Sequence, residues 1–315
     1  MCLVRYAPTV GRNEGALAYE DFVALVDSLP RLRRLTLQGL GEPLLSPHLV
    51  QMVEHAAGRG TSVGFNSNGT LLARAKAERL IAAGLSWLHV SLDGATAATY
   101  EDVRHGPRMR PRPGQFERVV ENLRGLVAAR RRARAPGPRI QLVFVAMRRN
   151  VEELERLVEL AADVGVDEVF VQNLSHDFGD TAGDSYAEMR RYAEEEAVFG
   201  DDRAGAEAAF GRAAERAREV GVELRLPRLA QTTARREPGE PGCSWPWNSA
   251  YVTHRGEVQP CCMVMGSDRA RLGRLSDQAF PELWNGASYR SFREGLLSGS
   301  PPGVCQGCSL YRGLF

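Results

Sequence analysis

Leu35-Thr-Leu-Gln-Gly-Leu-Gly-Glu-Pro43 decides the fold. Leu35 to Leu37 reads as a short buried strand that runs straight into two glycines, a glutamate and a proline, a turn of little side-chain bulk. Before it lies a helical stripe, Tyr19 to Leu29, and residues 3–17 lack periodicity and read as a loop. The same rhythm then repeats along the chain. Helix 46–59 leads to strand 61–65 and Asn66-Ser-Asn-Gly69; helix 71–83 leads to strand 86–91 and Asp93-Gly94. Helix 115–133 leads to strand 139–145, and helix 151–164 to strand 166–171. Residues 185–219 are charged and Ala-rich enough for helix, followed by strand 222–226. Strands alternating with helices of this length predict right-handed βαβ units around a parallel sheet. Polar residues that follow each strand then gather at the carboxyl edge, where such folds bind ligands.

The last quarter of the chain is built differently. Five of the six cysteines sit between Cys243 and Cys308, in Cys243-Ser-Trp-Pro-Trp247, Cys261-Cys262 and Cys305-Gln-Gly-Cys308. A two-residue gap lets both sulfurs of a pair reach one metal centre from a tight turn. Gly256, Glu257 and Val258 read as the turn and return of a hairpin, which can bring Cys243 and Cys261 to one end. Four such thiolates suit an iron–sulfur cluster or a structural zinc ion. Arg, Glu, Pro and Gly dominate 227–242, which reads as a linker between a domain at 1–226 and one at 243–315.

Composition narrows the function classes. With 40 Lys and Arg against 39 Asp and Glu, the net charge of +1 gives no global attraction to nucleic acid or acidic membranes. The run Arg130, Arg131 and Arg132 has no interleaved aromatics and ends a helix, where positive charge suits the dipole. No apolar run is long enough to span a bilayer and no signal-peptide pattern opens the chain, so the expectation is a soluble cytoplasmic protein without nucleic-acid or membrane partners. Cysteines clustered at ligand spacing suit a reducing compartment.

Together, Leu35 to Pro43, Phe65-Asn-Ser-Asn-Gly-Thr70, Val90-Ser-Leu-Asp-Gly94, Arg104 and the Cys-rich tail resemble the radical S-adenosylmethionine enzymes, in particular members with a SPASM or shortened Twitch domain. The resemblance runs through the chain in order. It implies an α/β fold, a partial (β/α)6 barrel whose first strand is missing from the given sequence, followed by a small Cys-rich domain. It also implies S-adenosylmethionine held against a catalytic 4Fe–4S cluster, with a 5′-deoxyadenosyl radical taking a hydrogen atom from a small-molecule or peptide substrate. A flavodoxin- or ferredoxin-type reductase would supply electrons.

The resemblance also suggests roles. Gly39, Gly41 and Glu42 would hold the methionine amine of the cofactor; the plain alternative is a βα turn in which Glu42 caps the next helix. Ser91 and Asp93 suit hydrogen bonds to ribose or carboxylate, although Asp-Gly alone is a turn. Arg104 offers a planar fork to the methionine carboxylate, or is a surface arginine. Asn66, Ser67 and Asn68 would line the pocket, while Gln172 and Leu174 would meet adenine or substrate. His176, Asp177 and Asp180 are weak candidates for a base, in what otherwise reads as a solvated loop.

The family's catalytic cluster uses three cysteines spaced C-x3-C-x2-C. Cys2 stands where the third would be and the other two are absent from the sequence as given, so a catalytic cluster is expected only if the N-terminus extends further. In the tail, the family pattern picks Cys243, Cys261, Cys305 and Cys308 as ligands of one auxiliary 4Fe–4S cluster, leaving Cys262 beside it. The expected function is a radical oxidoreductase or maturase. The alternative is a non-catalytic metal-binding homologue, holding iron–sulfur or zinc, that lacks the catalytic cluster.

Overall fold

The computed structural model describes residues 15–105, 113–174, 178, 181, 186–198, 203–229 and 241–313. They form two compact units that do not follow chain order. One contains Arg31–Leu174 and Glu196–Leu229; the other contains the described parts of Leu3–Pro30, Ser175–Glu195 and Ala230–Phe315.

The first unit is a six-stranded sheet in the order β1 (Arg34–Thr36), β2 (Ser62–Ser67), β3 (Trp87–Ser91), β4 (Arg139–Ala146), β5 (Glu168–Asn173) and β6 (Glu223–Arg225). Every neighbouring pair is parallel. Each crossover carries helix: α2 (Leu49–Gly58), α3 (Arg74–Ala82), α4 (Ala97–His105) with α5 (Gln115–Ala133), α6 (Leu154–Val164) and α8 (Arg203–Val220). In α6 the buried residues Leu154, Leu157, Val158, Ala161 and Val164 recur at helical spacing and form one stripe against the unit's core. The sequence reading joined α7 (Ala187–Glu196) and α8 into one helix; they are two, and residues 199–202 between them lie outside the described set.

Register divides the sheet into two unlike faces. Side chains alternate along a strand, and partners in a parallel ladder share a side. Val63, Phe65, Leu88, Val90, Ile140, Leu142, Phe144, Val169 and Val171 form one face and are fully buried. The other face carries Arg34, Asn66, Trp87, His89, Ser91, Gln141, Gln172 and Arg225. A polar face on a sheet whose opposite face packs its helices is the inner wall of a partial barrel.

In the second unit, α1 (Tyr19–Asp27) buries Phe22 and Val26. Its three-stranded antiparallel sheet joins β7 (Tyr251–Val252), β8 (Glu257–Gln259) and β9 (Gly273–Arg274), so the hairpin expected around Gly256 is present. Short helices α9 (Trp245–Asn248), α10 (Phe280–Trp284), α11 (Ala287–Leu297) and α12 (Gly303–Gln306) surround it. Among the described residues, no helix is long and apolar enough to cross a membrane.

Candidate active site and cluster-binding tail

Because all six strands run the same way, Gly39 to Glu42, Asn66 to Asn68, Ser91 to Asp93 and Gln172 to Leu174 all stand at one edge. Glu42 joins the first two groups. It caps the 3₁₀ turn Pro43–Leu45, its Oε1 accepting from Leu44 N–H at 3.1 Å. The same oxygen accepts from Ser67 Oγ at 2.8 Å, and Oε2 accepts from Asn68 N–H at 2.8 Å. The capping reading is therefore realised, but three donors occupy only three of roughly four lone-pair positions on a carboxylate. A Cβ added at Gly41 would meet nothing within 4 Å, so there is open space beside it.

Asn66 and Ser67 separate onto opposite faces. Asn66 lies on the polar face, donating to Gln38 Oε1, a partner the sequence reading did not single out. Ser67, only 4% exposed, lies on the apolar face and holds Glu42. Asn68 folds back onto Thr70, whose N–H and hydroxyl both donate to its Oδ1. Gln172 stands on the polar face opposite Val145, while Asn173 turns away and donates to Arg228 O at 2.8 Å.

Asp93 is fully buried, accepts from Val145 N–H at 3.0 Å, and pairs with Arg104 at 2.8 Å. Arg104 is carried on α4, which the sequence reading missed. Two features fix that helix. Gly94 lies so close beneath its first turn that a Cβ there would stand 2.6 Å from Tyr100 N. Glu153, from the turn before α6, accepts from Ala95 N–H, Thr96 N–H, Thr96 Oγ1 and Thr99 Oγ1. Asn150, 1% exposed, completes the brace by donating to Asp93 O and Val145 O.

Deeper on the polar face, Trp87 lies against β2 where Gly64 has no side chain; a Cβ there would stand 2.3 Å from the indole. His89 packs on Trp87 with ring centres 4.4 Å apart. Burial, then the charges of Arg34 and Arg225, push its pKa down to about 4.

In the tail, all five cysteines are thiols, Cys308 buried and the others half-buried. Burial pushes the Cys261 thiol up, and its neighbours Cys262, Cys308 and Cys305 add to this. Burial also raises Cys308, the backbone N–H groups of Tyr311 and Leu310 oppose it, and Cys243 adds to it. All five cysteines of the tail, Cys262 included, are thus electrostatic neighbours, and Cys261 and Cys305 pack on one core of Val264, Phe292, Leu296 and Val304. Among the described residues, no three His, Cys, Asp or Glu side chains converge tightly enough for a single ion. A cube differs in binding each thiolate at a separate iron. Arg293 frames this region, donating to Pro246 O and Trp284 O, both at 2.9 Å, with its guanidinium over the Trp284 and Tyr289 rings. Cys2, His176, Asp177 and Asp180 lie outside the described residues.

Comparison with known proteins agrees with this layout. Residues 1–161 match the radical SAM superfamily, and residues 243–309 match SPASM, an iron–sulfur cluster-binding domain. The AdoMet-dependent heme synthase of Methanosarcina barkeri is 28% identical over 313 residues, 96% of this chain and 83% of that protein. Mycofactocin maturase MftC of Mycobacterium tuberculosis is 30% identical over 155 residues, 49% of this chain and 36% of its own. The crystal structure of Streptococcus suis SuiB bound to S-adenosylmethionine shares the fold, with a TM-score of 0.64 over 94% of this chain and 67% of that one, at 15% identity. With the radical SAM match spanning just over half of its residues and the SPASM match covering its Cys-rich tail, the chain belongs to the radical SAM superfamily, enzymes that work with S-adenosylmethionine and 4Fe–4S clusters.

Proposed function

We propose that this chain binds S-adenosylmethionine at the carboxyl edge of the sheet and abstracts a hydrogen atom from a small-molecule or peptide substrate. The arrangement around Glu42 carries this reading: a carboxylate fixed by Leu44, Ser67 and Asn68, with one acceptor position left beside the open space at Gly41. That position suits the cofactor's ammonium, with Gly39 keeping the strand end free of bulk. Asn66, Ser91 and Gln172, all on the polar face, would meet ribose, adenine or substrate. Asp93 orients Arg104, and because a guanidinium has five N–H donors the pair does not exhaust it for a carboxylate. Leu174, 8% exposed, closes the edge beyond β5.

Cys2 would supply a ligand to the catalytic cluster, and Cys243, Cys261, Cys305 and Cys308 would hold one auxiliary cluster. When bound, these groups supply reductive cleavage of the cofactor and a path for electrons. An auxiliary cluster with every iron ligated favours electron transfer, which fits a net two-electron oxidation or a maturation step fed by a flavodoxin- or ferredoxin-type donor. The heme synthase and maturase names among the relatives support that range.

The test is anaerobic reconstitution of the protein carrying the complete three-cysteine motif. About eight irons per chain, with 5′-deoxyadenosine released after reduction, is the expected result. Four irons or zinc, without cleavage, would overturn it in favour of a non-catalytic metal-binding protein.

A further inference from the structure

The turn that follows Cys261 is built around a guanidinium. Cys262–Val264 makes a 3₁₀ turn, and Met265 closes it with a left-handed backbone, φ 64°. Gly266 then leaves no room for a side chain: a Cβ there would stand 2.1 Å from Asp268 Oδ1 and 2.7 Å from the Tyr186 hydroxyl. Arg269 Nη1 donates back to Val264 O at 3.0 Å and reaches Met263 O at 3.5 Å. Val264, 1% exposed, belongs to the core on which Cys261 and Cys305 pack. A half-buried charge is thereby fixed to the second and third residues after Cys261.

The same guanidinium lies over two aromatic rings from the segment that follows β5, 5.2 Å from the centre of Phe178 and 5.7 Å from that of Tyr186. Both residues are buried, and their rings stack with centres 5.7 Å apart. Tyr186 OH stands 3.4 Å from each oxygen of Asp268. Phe178 also has a left-handed backbone, φ 54°. Thr181 N–H and Oγ1 both donate to its carbonyl, and Arg190 in turn donates to Thr181 O and Oγ1. Bulky residues keep such a backbone only where their surroundings over-determine it, and such positions cluster at functional sites. Among the described residues three non-glycine backbones are left-handed, and two of them, Phe178 and Met265, adjoin the contacts of Arg269.

We infer that Arg269 is a positioning residue that sets the reduction potential of the auxiliary cluster: it shapes the loop after Cys261 and keeps a positive charge beside the thiolates, held in place by Phe178 and Tyr186. The inference rests on reading the tail as an iron–sulfur site. Cluster potentials follow net charge, hydrogen bonding and exposure, and the groups packed around the ligands govern all three. A positive charge favours the reduced cluster, which carries one more electron, and so eases electron transfer from substrate to the tail. Burial raises the Cys308 thiol, and the charge of Arg269 acts the other way, favouring thiolate. Asp268, of opposite sign, is exposed, and water and salt screen it more strongly. The next guanidinium groups along the chain, Arg271 and Arg274, both serve Glu257, at 3.2 and 3.1 Å.

The test is a redox titration, followed by electron paramagnetic resonance, of the reconstituted full chain in a Cys2→Ala background, so that the signal belongs to the tail. Arg269→Gln should keep about four irons and shift the reduction equilibrium at least tenfold towards the oxidised cluster, a fall of about 59 mV or more for one electron. Arg269→Lys, which keeps the charge, should undo most of that shift, and Asp268→Asn should move the potential upward. A potential unmoved by Arg269→Gln overturns the inference. So does an Arg269→Lys shift as large as that of the glutamine variant, because lost contacts alone would then explain it. Should Arg269→Gln lose its iron, Asp268→Asn decides: a rise supports the electrostatic role, and an unmoved potential overturns it. An unaltered tail that binds zinc or no iron overturns the auxiliary-cluster reading itself, and the iron count tells that failure apart from an unmoved potential.

Discussion

Asp93 and Arg104 form an ion pair at 2.8 Å in which the carboxylate is fully buried and the guanidinium nearly so. Removing one member of such a pair leaves a buried charge uncompensated. Asp93→Asn should therefore destabilise the sheet unit by about 3 kcal/mol, measured by urea unfolding without cofactor. Adding Arg104→Met should recover much of the loss. A double variant no more stable than Asp93→Asn would show that the pair itself matters little.

Glu153 serves α4 as a cap supplied from another element. Glu153→Ala should cost about 1–2 kcal/mol, the upper range for a lost cap. The amides of Ala95 and Thr96 should then exchange with solvent faster than those of α6. Unchanged exchange at those two amides would show that the cap is dispensable.

Glu42→Gln keeps the size of the side chain and removes its charge. S-adenosylmethionine binding should weaken about tenfold, equivalent to 1.4 kcal/mol, in an equilibrium titration. Binding equal to that of the unaltered chain would place the cofactor amine elsewhere.

His89 gives the sheet unit a defined acid sensitivity. Its pKa is depressed in the fold to about 4 from an ordinary 6.5, so between those values the unfolded chain binds more protons. The stabilisation is fully present above pH 6.5 and is lost as pH falls towards 4. His89→Gln should flatten the pH dependence of unfolding across that window. An identical slope in the variant would assign the sensitivity to other groups.

The tail ligands can be tested by counting. Cys305→Ala should lose the auxiliary cluster, about four irons per chain, whereas Cys262→Ala should retain it. Equal loss in both would make Cys262 a ligand.

The strands and their polar ends were legible because apolar runs ending in Gly, Asn or Asp mark themselves. α5 is legible with its own bounds, Gln115–Ala133, since its buried residues recur at helical spacing. α4 leaves little mark in the sequence: it is short, mixes Tyr100 and Val103 with charged residues, and is capped by a glutamate far along the chain. Nor could the sequence show which of Asn66 and Ser67 faces the polar side. Alternation places neighbours on opposite sides, but only register with β3 says which side is polar.

Arg293 holds α9, just after Cys243, to the end of α10 through two main-chain carbonyls, and its charge rests on two rings. None of those bonds involves sulfur. A cup framed by such contacts is expected to keep its packing before any cluster is loaded, unlike small metal-dependent domains that stay unfolded until metal binds. Stripping the tail of its inorganic core should then empty the cup without collapsing it.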